Sequence, residues 1–355
     1  MTREAQGGGV IPLRDSRPER VHAHGYWEFV LRRLLRDRAA MVSLAAVLAI
    51  LLSAFAGAPI AARLLGHGPN DIFPYAVDEN RNPAGPMTRV PDVNAHVHGG
   101  PPEETTLFVL GGDGSLGRDE LLRVLYGGRV SIEVALGATI IALTIGVLLG
   151  SIAALAGGVV DAAVARLTEL AMAFPVLLFL MLLGSSSFAD TMDTFTLWGL
   201  LDQGVASIAV LIGLFTWFYP ARLVRAEMLS LKTREFVEAA RMTGAGQWRI
   251  IRIELLPHLV PMLMVYGSLI MATNIILEAS ITFLGVGIRL PTASWGSLLS
   301  NTWGTLLDPY NALYLVPRTQ ALLTLWPSFA IFVTVLSFNL LGDGIRRAFE
   351  PERRS

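Results

Sequence analysis

Cysteine is absent from the 355 residues, which excludes disulfides and thiolate metal sites and leaves the redox compartment unread. Lysine occurs once, at Lys232, without a glycine-rich lead-in. No Gly-x-x-x-x-Gly-Lys-Ser/Thr stretch exists, so the chain has no phosphate loop with which to hydrolyse ATP itself. His-Glu-x-x-His and Gly-x-Ser-x-Gly are missing too, which removes the usual constellations of a membrane-embedded enzyme. Charge is scarce, at 16% of residues, and the net charge of -1 gives no reason to expect nucleic acid as a partner. What fills the space is apolar: 53% of residues, with a mean hydropathy of +0.53, too oily for an ordinary soluble domain of this length. The expected solvent is a lipid bilayer.

A span needs about 20 apolar residues at about 1.5 Å each. Six stretches qualify: 39–62, 134–155, 171–188, 205–221, 257–277 with an extension toward Val286, and 321–341. Lipid offers no partner to an exposed amide, so each is expected as a helix and the fold class as all-α and polytopic. A shorter apolar piece, 194–201, reads as interfacial. Ahead of the first span no short apolar core with a small-residue cleavage site occurs, so that span is expected to stay as an anchor.

Arginine sets orientation. Arg32, Arg33, Arg36 and Arg38 precede the first span, seven Lys or Arg from Arg222 to Arg252 follow the fourth, and Arg346, Arg347, Arg353 and Arg354 follow the sixth. Both termini and the 222–256 loop are therefore expected in the cytosol, with 64–128, 189–204 and 287–320 outside. Arg118, Arg123 and Arg129 run against this rule on the outer side. The domain reading that follows is a cytosolic segment 1–38, a first span 39–63, an outer loop or cap 64–128, a five-helix core 129–342 and a cytosolic tail 343–355.

Within the cytosolic loop, Phe236, Ala239, Ala240 and Met242 fall near helical spacing opposite Glu235, Glu238 and Arg241. Gly244 and Gly246 are suited to ending that helix. A second helix is expected over 247–256, with Trp248, Ile251 and Leu255 on one face, and Pro257 opening the next span. Such a hairpin, small-sided at Ala239 and Ala240, is fit to receive a push from another protein; an amphipathic helix that merely pads the loop has the same pattern.

The run Glu238-Ala239-Ala240, Gly244 and Leu256-Pro257 resembles the signature loop of the permeases of binding-protein-dependent ABC importers of the type I class. Further stretches resemble the C-type subunit of dipeptide and oligopeptide permeases. These are Leu116-Gly117-Arg118-Asp119, Leu125-Tyr126-Gly127, Arg129-Val130-Ser131, Ala173-Phe174-Pro175, Glu278-Ala279-Ser280, Phe283-Leu284-Gly285-Val286-Gly287, Pro291-Thr292, Ser294-Trp295-Gly296 and Phe338-Asn339-Leu340-Leu341-Gly342-Asp343. The resemblance implies a multi-pass subunit of a bacterial plasma (inner) membrane with no cofactor of its own. A second permease subunit would complete the pathway, two ATPase subunits would bind ATP and Mg, and an extracytoplasmic binding protein would deliver the solute. Carried over by motif, Glu238, Ala239, Ala240, Gly244, Leu256 and Pro257 are the coupling residues. Peptides are the implied cargo, with nickel or another solute as the alternative within the family. A secondary transporter is the competing class, but no repeat of the first three spans is evident in the last three.

Asn274, Glu278 and Ser280 are candidates for the translocation path, because an ionisable residue inside a span is costly and faces protein or water. Glu278 has a second reading, an interhelical hydrogen bond that locks two spans. Pro175 is a candidate hinge. Residues 74–110 depart from the family pattern and read as an ordered loop, a small cap or a tolerated insertion. Gly112-Asp113-Gly114-Ser115-Leu116-Gly117 fits a dinucleotide fingerprint after a strand-like 106–110, without room for the rest of a βαβ unit. His22, His24, His96 and His98 form two His-x-His pairs without further ligands nearby, so no metal is expected.

Overall fold

The computed structural model describes residues 26–78, 83–92, 105–184, 204–306 and 318–349. The interfacial 194–201 segment and the two His-x-His pairs lie outside them. The described chain is mostly helical. Four helical runs, Arg38–Leu65, Glu120–Ala156, Ile250–Phe283 and Leu323–Phe349, are long and apolar enough to cross a membrane, and two bent helix pairs raise the number to six if each is one span.

The first helix, α1 (Tyr26–Arg36), is amphipathic and leads into α2 (Arg38–Leu52). Asp37 caps α2, its carboxylate accepting from the Ala39 and Ala40 amides at 3.0 and 3.2 Å. A π-type turn at Ser53–Gly57 precedes α3 (Ala58–Leu65), where Pro59 has no amide to give to the preceding turn. Gly66, at φ 79°, ends this span in the left-handed conformation.

The chain then builds a small cap whose two strand pairs the all-α expectation did not include. Strands β1 (Thr88–Pro91) and β2 (Thr105–Phe108) pair antiparallel, as do the short β3 (Gly112–Asp113) and β4 (Arg118–Asp119). Phe73, Ala76, Val90 and Phe108 form a core of their own, and the His67 ring stacks among the aromatics. The glycine-rich 112–117 run is the β3–β4 connection, not a nucleotide loop. Asp113 there pairs with Arg118 at 2.7 Å and Arg123 at 2.6 Å, all three buried. Arg129 pairs with Glu133 at 2.8 Å. The three arginines that oppose the orientation rule are thus partnered within the protein.

Helix α4 (Glu120–Ala156) starts fourteen residues before the expected span, capped by Asp119 on the Leu122 amide. At 37 residues it is about 55 Å long and outreaches a bilayer core of about 30 Å. It is the axis of the molecule. The cap sits at its first turn and the 222–256 loop at its last.

The third expected span is broken: α5 (Gly158–Ala173) and α6 (Val176–Gly184) meet at 82° across Phe174-Pro175. The fourth is broken as well, α7 (Val205–Leu214) and α8 (Phe218–Leu231) meeting at 46°, because Pro220 has no amide for the Thr216 carbonyl. Helix α4 packs closely on α8 through glycine: a methyl group on Gly150 would lie 2.5 Å from the Ala221 carbonyl oxygen. After α9 (Glu235–Met242) and α10 (Gln247–Arg249), a π-type turn at Ile250–Leu255 runs directly into α11 (Leu256–Phe283). The fifth helix therefore begins in the loop itself and ends at Phe283, short of Val286. Helices α12 (Trp295–Leu306) and α13 (Arg318–Phe349) complete the fold. Trp295 joins Ile132, Ala135, Met271 and Ile275 in a core between α4, α11 and α13.

Candidate functional site

The 222–256 loop contains a helical hairpin whose first arm buries one side chain in the core. Val237 is fully buried, in a cluster with Ala154 of α4, Val224, Met228 and Leu231 of α8, and Ile250, Leu255 and Leu259 beside α11. The expected apolar face needs correction: Met242 is 90% exposed and Ala239 exposed, while Phe236 and Ala240 are only partly covered. On the second arm Trp248 is exposed, and Ile250 with Leu255 takes the buried positions. A short helix with five apolar residues spread around it does not say which face meets the core.

Helix α9 closes with a Schellman pattern. Gly244, at φ 79°, donates to the Arg241 carbonyl at 2.9 Å, and the Ala245 amide donates to Ala240 at 3.0 Å. Of the two glycines offered as terminators, Gly244 does this and Gly246 does not take a positive φ. Phe236 stacks on His258 of α11, ring centroids 4.8 Å apart and 14° from parallel. Lys232 donates to the Ala154 carbonyl at 3.0 Å, across the C-terminus of α4, where a cation suits the helix dipole. Together these fix α9 to α4, α8 and α11. Glu238, Ala239 and Arg241 face outward, and Pro257 is exposed beside a partly covered Leu256. A cavity of about 360 Å³ opens beneath Glu238 and Arg241, floored by Leu155, Ile250 and Leu255.

The candidate path residues separate. Asn274 and Glu278 are fully buried, whereas Ser280 is partly exposed on another face of α11. Asn274 donates to Thr139 of α4 at 3.0 Å. Glu278 accepts from Thr282 at 3.0 Å and also meets Ser131 and Ser294. Ser131 in turn accepts from the Trp295 amide at 3.2 Å, and the Trp295 indole donates to the Val124 carbonyl at 3.0 Å. Gly127 and Gly128 leave room for Ser294 and Trp295 to touch α4. Glu278 is thereby at the centre of a hydroxyl network joining α4, α11 and the start of α12. Pro175 stands at the 82° bend. Among the described residues, no three His, Cys, Asp or Glu are gathered as a metal site.

Residues 146–355 match the family described as binding-protein-dependent transport system inner membrane component. Residues 25–85 match the N-terminal transmembrane domain of oligopeptide transport permease C. The oligopeptide transport system permease protein OppC of Escherichia coli K12 is 33% identical over 334 residues, 94% of each chain. Its Haemophilus influenzae namesake is 31% identical over 329 residues, 92% of this chain and 89% of its own. The nickel transport system permease protein NikC of Escherichia coli is 32% identical over 240 residues, 68% of this chain and 78% of its own. With one family profile spanning more than half the chain and relatives aligned along nearly all of it, this multi-pass membrane protein belongs to the inner membrane components of binding-protein-dependent transport systems, the permeases of ABC importers.

Proposed function

We propose that the chain is one permease subunit of an ATP-driven importer of peptides in a bacterial inner membrane. In this reading it crosses six times with both termini in the cytosol, each bent helix pair serving as one span. A second permease subunit forms the other wall, two ATPase subunits dock on the hairpins, and an extracytoplasmic binding protein delivers cargo. The alignment with OppC along nearly the whole chain favours peptides; the NikC relative keeps nickel as the second reading.

The observation that carries the coupling role is the hairpin's construction. Glu238, Ala239 and Ala240 lie on a short helix, closed at Gly244 and clamped by Val237, and the second arm of the hairpin runs through Leu256 and Pro257 into a 28-residue helix. A push on the exposed side is transmitted because buried side chains are close-packed and yield little. ATP-driven closure of the two ATPases swings the paired hairpins together and opens the cavity outward, the cargo following its difference in affinity between the two states.

Affinity purification of the tagged chain from its native membrane tests this. ATPase subunits are expected in the wild-type eluate and lost from a Glu238→Arg, Gly244→Trp double variant. A chain that purifies alone, or a variant that retains its partners, refutes the coupling role.

A further inference from the structure

Three hydroxyl-bearing residues recur every seven positions along α11: Tyr266, Thr273 and Ser280. Seven residues are nearly two turns, so the three share a face at a spacing of about 10 Å. It is the open face. Thr273 and Ile276 are exposed and Tyr266 and Ser280 partly so, while Ile270, Asn274, Glu278 and Ile281 point into the protein. Between Met262 and Ser280 this face carries no charged residue.

Tyr219, 50% exposed, joins it from α8. Pro220 beside it touches Gly146 of α4, and Gly267 beside Tyr266 touches Leu143, so both tyrosines lie at the level of one turn of α4. Tyr266 stands nine residues above Pro257, about 14 Å along the helix and near the middle of a bilayer core of about 30 Å.

Thr273 and Ser280 donate to the Leu269 and Ile276 carbonyls at 3.0 and 2.7 Å, which a lipid-facing hydroxyl can also do. A phenol is too long to reach its own helix in that way. Among the described residues neither Tyr219 nor Tyr266 has a hydrogen-bond partner. An unpartnered phenol in hydrocarbon is costly, and a tyrosine with one end apolar and one end polar belongs where that end meets water.

We propose that this face, with Tyr219 and Tyr266 at mid-membrane and Thr273 and Ser280 above them, borders the water-filled route and hydrogen-bonds the backbone of an extended peptide. The cargo half of this statement rests on the peptide-importer reading. An extended chain advances about 3.3–3.6 Å per residue, so the 10 Å repeat corresponds to about three residues. Neutral groups that both donate and accept suit backbone amides, which every peptide presents, more than any one side chain.

The absence of cysteine makes the test direct. Tyr266→Cys and Thr273→Cys, with Phe332→Cys on the apolar face of α13 as reference (61% exposed), are each placed in the assembled transporter in membrane vesicles. A charged, membrane-impermeant methanethiosulfonate is expected to react at Tyr266→Cys and Thr273→Cys about tenfold or more faster than at Phe332→Cys, since charge enters hydrocarbon poorly. Rates no faster than the reference overturn the proposal, whatever the cargo, because labelling needs neither ATP nor solute. The peptide contact is read separately. Tyr219→Phe with Tyr266→Phe is expected to raise the KM for trialanine uptake about tenfold while the ATPase subunits still co-purify. Fast labelling with an unchanged KM overturns the backbone contact, and wild-type vesicles that take up no trialanine refute the peptide reading while leaving the route to the labelling result.

Discussion

His67 illustrates what a single side chain holds together in this fold. Its two ring nitrogens face oxygen acceptors, the Leu65 carbonyl at 3.0 Å and the Asp119 carboxylate at 3.1 Å, with the Thr106 hydroxyl 3.2 Å from the first nitrogen. It thereby links the end of the first span, the cap hairpin and the cap of α4. Burial works against its charge, but the hydrogen bond and charge of Asp119, the Leu65 carbonyl and Asp71 outweigh burial and raise its pKa above the ordinary 6.5. A raised histidine pKa contributes stability that is complete below about 6.5 and is lost as pH climbs through the folded-state value. The thermal midpoint of the purified complex is therefore expected to fall as pH rises from below about 6.5 through the raised folded-state value. His67→Gln should flatten that fall, and an unchanged slope removes His67 as its source. None of this is legible in the sequence, where His67 is an isolated loop histidine fifty-two positions from Asp119. The pairing of Arg118 and Arg123 with Asp113 is hidden for a different reason: the partners are local, but their burial depends on the cap.

At the scale of elements, helix existence was legible and helix geometry was not. Runs of apolar residues mark the spans, yet the 82° and 46° bends divide two of them. Pro175 announces the first bend and Pro220 the second, although proline by itself fixes neither angle; the angle depends on what each half-helix packs against. Phe179, whose ring meets that of Phe215 at a tilt with centroids 4.6 Å apart, ties the two bends to one another. Pro175→Ala restores an amide that the bend leaves without a place, so it is expected to lower transport while leaving the ATPase subunits bound. Full transport with full ATPase coupling removes Pro175 as a hinge. The hairpin followed the same pattern: its two arms and its Gly244 terminus were readable, whereas the buried Val237 and Ile250 were not. On an eight-residue helix, several faces carry enough apolar atoms to serve.

For the whole molecule, the positive-inside rule and the span count combine into one statement about topology. In the proposed topology an even number of crossings puts both termini on one side, and the arginines flanking the first and last spans assign that side to the cytosol. Reporter fusions at each terminus are expected to give cytosolic signals together; opposite signals mean that one bent pair does not cross. The ion pair of Asp37 with Arg347, at 2.8 Å, already places the start of the first span beside the end of the last. Sequence alone determined the solvent, the helical class, the approximate spans and the hairpin between the fourth and fifth, because hydropathy and glycine, proline and arginine placement are local properties. Only the tertiary structure decided which side of each helix is inside. It buried Glu278 and Asn274, left Tyr266 and Thr273 open, and put Val237 in the core. In a membrane protein the interior and the lipid are equally apolar, so a helix that is apolar all round carries no mark of the face its neighbours will cover.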